Sequence, residues 1–458
     1  MKFLYLGANI HQSVLDVIIN NSNTILVYEE EDIGLFKSSI EQLNRLNRAI
    51  CISKSAIQEK RPGLVSYIPE RERVISAVLN DFRVFLLRGR FLRVDTAGVF
   101  SGLTYFSDIV DFALMFLVRF SPKLAYCSYT PHTVEAWIFF RTLEESGVRI
   151  IRLISSPLPW INVPIVGLTQ ENMQLPSSKK GKSEDGRNKV KTYMSSLKNS
   201  YSEAMPYYEK PTFHDFWSNI SSLSPKNIIK SYEKRKIYLE YLAEAKSFDS
   251  SISFAAYFLH YQPEMNTLPE AGLYCDQYQA IVKISQSLPQ GVRLLVKEHP
   301  STFSKRSDRR WRPYGFYNRI SSISNVDVCP PDLDTFQIID KAKFIASIAG
   351  VCLTEALARK KVAVTFFPVR FSYFPNKLVV DAANPTVTEL TETLKRVCAS
   401  KASFSEQETI DCMEQVMMNG YDGSDNDSYI PQSIFQAATN SKKANYYAVQ
   451  DIINEELV

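Results

Sequence analysis

Residues 344–368 read FIASIAGVCLTEALARKKVAVTFFP. An apolar run enters the small-residue turn Ser347–Gly350, a helical pattern follows over residues 353–359, and a second apolar run starts at Val362. Two short buried strands joined by a crossover helix form a parallel βαβ unit. The same pattern extends upstream. ISFAAYFLHY (252–261) predicts a strand, 277–286 a helix, VRLLVKEH (292–299) a strand, VDVCPP (326–331) a short strand and 335–341 a helix. Sheets of this kind bind ligands in the loops at the carboxyl ends of their strands.

The amino-terminal part repeats the alternation. KFLYLG, TILVYEE, RAICISK, FRVFLLRG, KLAYCSY and VRIIRLI predict strands, and residues 132–146 predict a helix that Gly147 terminates. SSKKGKSEDGRNKVK (177–191) is polar and reads as a solvated connection, followed by Tyr- and Lys-rich helices. Residues 405–419 predict a helix, and GYDGSDNDS (420–428) predicts a loop. The expected fold class is α/β, GT-B-like, with two Rossmann-like domains facing across a cleft. The expected boundaries are 1–175, a polar insertion with connecting helices at 176–250, a second domain at 251–375, and a helical tail at 376–458 packing back on the body.

Composition narrows the function. The chain has 458 residues, 22% charged and 45% hydrophobic, which excludes disorder as its main state. Lys and Arg exceed Asp and Glu by 53 − 49 = 4, too few to make a nucleic acid the expected partner. The seven cysteines form no CxxC pair and read as reduced thiols rather than a zinc site or disulfide framework. The apolar run within IVDFALMFLVRF (109–120) is interrupted by Asp111 and Arg119 and is too short to span a bilayer. The expectation is a cytoplasmic protein, with contact at the inner membrane suggested by Tyr105, Phe106, Phe112 and Phe116. No GxxxxGK[ST], GxGxxG, HExxH or GxSxG is present. Asp332-Leu333-Asp334 precedes a predicted helix and reads as a cap, and Asp425-Asn426-Asp427 reads as loop. No metal and no cofactor is expected.

Three of the five histidines fall at strand ends or in the loops after them. Past the strand 252–259, alternation places His260, Gln262 and Glu264 on one side, with Pro263 holding the chain extended. The bland alternative is a polar loop capping its own backbone. VRLLVKEHPS ends in Lys297, Glu298, His299 and Pro300, donors suited to a phosphate, or else a surface ion pair with one satisfied histidine. Backbone amides after Ser347–Gly350 can attract phosphate at a helix start, and Thr354 and Glu355 lie in the first turns. In KLAYCSYTPHTVEAW, Thr130 reads as an N-cap with Pro131 at the first helical position, and His132 faces the cleft. Arg88 and Arg90 end the predicted FRVFLLRGR strand and read as a solvated pair.

LHYQPEMNTLPEAG (259–272), LPQGVRLLVKEHP (288–300) and IASIAGVCLTEAL (345–357) resemble the bacterial capsule and surface polysaccharide biosynthesis proteins related to retaining β-Kdo transferases. The resemblance covers residues 252–368 and, more loosely, CSYTPHTVEAW. It implies an amino-terminal acceptor domain and a nucleotide-sugar domain using a CMP-activated ulosonic or nonulosonic acid. Partners would be that donor and an oligosaccharide or lipid-linked glycan acceptor. His299 and Pro300 would hold the CMP phosphate with Lys297 assisting. Ser347, Gly350, Thr354 and Glu355 would lie near phosphate and ribose, and Thr130 and His132 on the acceptor side. If configuration is retained by two displacements, a carboxylate attacks the anomeric carbon. Glu264 is the expected nucleophile, oriented by Gln262 and His260. Asp276 is a second candidate, expected rather to stabilise a helix start. A UDP- or GDP-sugar transferase of the same fold, and a non-catalytic polysaccharide assembly protein, are the alternatives.

Overall fold

The computed structural model describes residues 2–6, 12–28, 33–53, 56–57, 71–91, 97–169, 184–198, 225–245, 251–262, 264–303, 312–331, 333–400, 404–422 and 451. Asp332, the Asp425–Asp427 triplet, residues 177–183 of the polar connection and the side chains of Arg88, Arg90 and Pro300 lie outside what is described.

The amino-terminal sheet contains β1 (Lys2–Leu6), β2 (Thr24–Tyr28), β3 (Ala49–Cys51), β4 (Pro122–Cys127), β5 (Arg149–Ser155) and β6 (Ile161–Val166). Helices α1 (Gln12–Asn20) and α2 (Ile33–Arg45) connect the first three strands; α3 (Arg71–Leu79), α4 (Phe82–Phe91) and α5 (Ala97–Phe120) precede β4; α6 (Val134–Glu145) precedes β5. Helices α7 (Glu184–Ser196) and α8 (Pro225–Glu244) follow β6. The second sheet contains β7 (Phe254–Phe258), β8 (Arg293–Lys297), β9 (Val326–Val328), β10 (Phe344–Ser347), β11 (Val362–Thr365) and β12 (Val379–Asp381). Its helices are α9 (Gln277–Ser287), α10 (Phe316–Ser321), α11 (Thr335–Lys341), α12 (Val351–Ala358) and α13 (Val387–Ala399). After them, α14 (Glu406–Asn419) leads into the short β13 (Tyr421–Asp422).

The second sheet is wholly parallel in the order β12-β11-β10-β7-β8-β9, the doubly wound Rossmann order. The first has a parallel core β3-β2-β1-β4-β5, then β6 and β13 added antiparallel. Strands β7, β10 and β11 are buried at every position, so they read in sequence as uninterrupted apolar runs. The two lobes meet along β5 and just past its carboxyl end: Arg152, midway along β5, touches Glu270, and Ser156, the residue after β5, touches Arg370 of the second lobe. This is a GT-B-like arrangement of two Rossmann-like units.

FRVFLLRG is a helix, not a strand. Asp81 caps it, accepting from the Arg83 amide at 3.0 Å and from Arg83 Nε at 2.7 Å, while Val84 and Leu87 bury one face. Trp137 Nε1 donates to the other oxygen of Asp81 at 3.0 Å, fixing α4 to α6. The apolar run 109–120 lies in α5, where Asp111 takes a two-pronged contact from Arg71 at 2.6 and 2.7 Å. Phe106, Phe112 and Phe116 are buried, with Phe116 edge-on to Phe139 at 5.4 Å, and the Tyr105 hydroxyl donates to Glu135. Phe106, Phe112 and Phe116 therefore belong to the core. Among the described residues no helix is long and apolar enough to cross a membrane. None of the seven cysteines is in a disulfide.

Candidate active site

The strand order reverses between β7 and β10, and the carboxyl edge at such a reversal is where sheets of this kind bind ligands. His260 follows β7 by two residues, and the Ser347–Gly350 turn ends β10. The Ser347 hydroxyl donates to Phe258 O at 2.8 Å, bracketing the two strand ends. The Ala349 amide donates to His260 Nε2 at 3.0 Å. An amide can only donate, so Nε2 carries the lone pair and the ring proton sits on Nδ1. Nδ1 faces Glu264 Oε2 at 3.0 Å. Gln277 fixes the His260 backbone, accepting from its amide at 2.7 Å and donating to its carbonyl at 3.1 Å. A Cβ at Gly350 would lie 3.4 Å from His260 Nε2, 3.2 Å from Ser347 Oγ and 3.1 Å from Cys352 Sγ. Glycine lets the turn come this close to the ring.

The Glu264 side chain keeps 27% exposure while His260 keeps 7%, so the carboxylate is reachable and its partner is not. Asn266 Nδ2 donates to the other carboxylate oxygen at 3.0 Å. Burial pushes the Glu264 carboxyl up. Hydrogen bonds from His260 and from the Asn266 amide oppose this, and the group is held below the usual carboxylate range. An ionised, oriented, partly open carboxylate is suited to attack an electrophilic carbon.

Gln262 sits elsewhere. Its Nε2 donates to Cys275 O at 2.7 Å and its Oε1 accepts from Arg312 Nη1 at 2.8 Å, so it faces a buried network rather than Glu264. Arg312 Nε reaches Glu298 Oε2 at 2.7 Å, and Nη2 reaches the His260 carbonyl at 2.8 Å. Glu298 also accepts from the Tyr317 hydroxyl at 2.6 Å, the Thr302 hydroxyl at 3.0 Å and the His299 amide at 2.7 Å. Burial pushes the Glu298 carboxyl up, but Arg312 and these donors hold it down. The expected surface Lys-Glu pair is thus a buried Arg-Glu pair. Arg312, Asn266 and Gln277 escaped the sequence reading; Arg312 lies in SDRRWRP, among other arginines with nothing to distinguish it. Lys297 is buried and donates to Leu333 O at 2.8 Å.

His299 packs near Tyr261, with ring centroids 6.2 Å apart. Burial pushes it down to about 4, only partly offset by Glu264 and Glu298. It is therefore neutral at pH 7 and serves as a hydrogen-bonding group. An unfolded histidine titrates near 6.5, so between pH 6.5 and 4 the unfolded chain binds the extra proton. The stability this group contributes is complete above about pH 6.5 and is lost as pH falls toward 4, by about 2 kcal/mol between pH 7 and pH 5. Urea unfolding at both pH values is expected to show this loss in the parent and a smaller one in His299→Gln. Equal losses would contradict the burial of a neutral ring.

The remaining expected residues are dispersed. Pro300 opens the 3-10 turn Pro300–Phe303. Thr354 and Glu355 are buried in α12, and the charge of Glu355 helps raise the Tyr193 hydroxyl, after burial itself. Thr130 is no helix cap. Thr133 caps α6, accepting from the Ala136 amide at 3.2 Å, while the Thr130 hydroxyl bonds Glu270 and Arg152. His132 stays beside it, Nδ1 to Thr130 O at 3.3 Å and ring edge to Tyr129. Asp276 caps α9 through the Tyr278 amide, and Asp334 caps α11 through the Gln337 amide at 2.9 Å.

No protein-family model and no curated protein matches this chain. Among solved structures it is similar to the KpsC β-Kdo 2,7 transferase of Thermosulfurimonas dismutans, at 12% identity over 82% of this chain and 98% of that one, TM-score 0.29. It is similar to the KpsC β-Kdo 2,4 transferase of the same organism at 11% identity, over 63% and 78%, TM-score 0.26. A UDP-GlcNAc 2-epimerase from Methanocaldococcus jannaschii matches at 11% identity over 91% and 99%, TM-score 0.27.

Proposed function

We propose that this chain is a glycosyltransferase that moves Kdo, or a related ulosonic or nonulosonic acid, from its CMP donor to an oligosaccharide or lipid-linked glycan acceptor. The observation that carries this reading is the Glu264–His260–Ala349 chain of hydrogen bonds at the reversal point of the second sheet. It ties a reactive carboxylate to the turn that would meet the donor phosphate. In the first step a Glu264 oxygen attacks the anomeric carbon, and the bond to the phosphate oxygen breaks with its electron pair leaving on CMP. His299 as a neutral donor and the first-turn amides of α12 stabilise the charge on the departing phosphate. In the second step the acceptor hydroxyl displaces Glu264 and gives its proton to the CMP phosphate, so configuration is retained overall.

Nucleotide screening by thermal unfolding tests the donor class. A nucleotide at a hundred times its Kd stabilises the folded chain by about 2.7 kcal/mol. CMP is expected to raise the melting temperature and UDP and GDP at equal concentration are not. A shift with UDP or GDP alone replaces the donor; a shift with glycan and no nucleotide favours a non-catalytic assembly role.

A further inference from the structure

Glu264 begins a turn whose far end is fastened in the other lobe. The Thr267 and Leu268 amides donate to Glu264 O at 3.1 and 2.9 Å, so the turn and the carboxylate move as one. Leu268 and Cys275 then pack into the hydrophobic core of the amino-terminal lobe. Between them, Glu270 meets Arg152 Nη1 at 3.0 Å, with side chains 1% and 0% exposed. The Arg152 fork is aimed by further acceptors: Nε donates to Gly167 O at 2.9 Å, and Nη1 reaches the Thr130 hydroxyl. Four residues further along the chain, Ser156 O accepts from Arg370 Nη2 at 2.8 Å, and Arg370 Nη1 holds Ala349 O at 2.7 Å. One strand of the first lobe, with the residue that follows it, therefore grips both parts of the site in the second.

We infer that Arg152 and Glu270 are positioning residues, an ion pair between the lobes that sets where the Glu264 carboxylate stands relative to the donor turn. This rests on the reading of Glu264 as the reacting group. A buried ion pair is often no better for stability than apolar side chains of the same volume. What this one supplies is direction, because the planar guanidinium is held by carbonyl, hydroxyl and carboxylate at once. A misplacement of about 1 Å at a reacting atom costs about a hundredfold in rate.

The test uses the full chain with Glu270→Gln, which keeps the shape and removes the charge. Because an unpaired buried guanidinium can prevent folding, Arg152→Lys is the second variant, keeping the charge and losing the fork. In whichever variant folds, kcat for transfer is expected to fall about thirtyfold or more, with KM for the CMP donor within about threefold. Amide hydrogen exchange at Thr267 and Leu268 is expected to rise about tenfold, while Leu294, Leu295 and Val296 in β8 keep their protection. Unchanged kcat and unchanged exchange in a folded variant overturn the proposal. So does exchange that rises alike in both places, or failure of both variants to fold, since each marks a general role in stability. If the parent itself transfers nothing from CMP donors, the donor reading fails, and the exchange pattern still decides the positioning.

Discussion

Glu264→Gln is expected to remove transfer, lowering kcat by about a thousandfold or more, which is about 4 kcal/mol of barrier. The substitution is nearly isosteric, and the new amide oxygen can still accept from His260 Nδ1, whose proton is fixed there by the Ala349 amide. The backbone hydrogen bonds of the turn run to the Glu264 carbonyl and are untouched, and the one contact given up is that of Asn266 Nδ2 with the second carboxylate oxygen. The fold should therefore survive, and CMP affinity should change little, because the carboxylate reacts with the sugar and does not hold the nucleotide. Activity and binding separate cleanly in such a variant. In the parent, incubation with donor and no acceptor should add the mass of one glycosyl residue to the peptide that contains Glu264. A Glu264→Gln protein that transfers within about tenfold of the parent rate would remove the nucleophile assignment, and with it the double displacement.

How much of this was legible in sequence follows from burial. Strands β7, β8 and β10 read correctly because a parallel strand covered on both faces has a continuous apolar centre, and a polar residue marks the carboxyl end of each: His260 two residues past β7, Lys297 in β8 and Ser347 in β10. The convergence of His260 with the 347–350 turn followed from topology alone, since β7 and β10 are neighbours. Side-chain direction did not follow. Alternation grouped Gln262 with Glu264, but the strand ends at Phe258, so period two no longer applied past it. Gln262 instead answers Arg312, fifty residues on. Thr130 looked like a cap because Pro follows it, yet the cap is Thr133, and the Thr130 hydroxyl is taken by groups 22 and 140 residues distant. Contacts between the lobes have no local signature. The α4 helix did carry a local signal, the capping Asp81 just before it, but its apolar run is strand-like without that residue.

Arg312→Leu is expected to cost about 3–5 kcal/mol of stability at pH 7, because it strands the Glu298 carboxylate in the interior with Tyr317, Thr302 and the His299 amide as its remaining donors. The pH dependence has a definite sign. In the parent, Arg312 and the other donors hold Glu298 low against burial, so its contribution is present above the ordinary carboxylate range and is lost as pH falls through its lowered value. Without the guanidinium, burial raises that carboxyl instead, so the unfolded chain gives up the proton more readily and the folded variant is penalised at neutral pH. The gap between parent and variant should therefore be widest at pH 7 and narrow toward pH 4 in urea titrations. A double variant, Arg312→Leu with Glu298→Leu, removes both buried charges and should recover most of the lost stability. It should not recover function, because Arg312 also holds Gln262 and the His260 carbonyl. The backbone that aims His260 at Glu264 loses that support in the single and double variants alike. If the single variant is destabilised by less than about 1 kcal/mol, or its deficit grows as the pH is lowered, Glu298 is not an ionised partner of Arg312, and the network beneath the site has another basis.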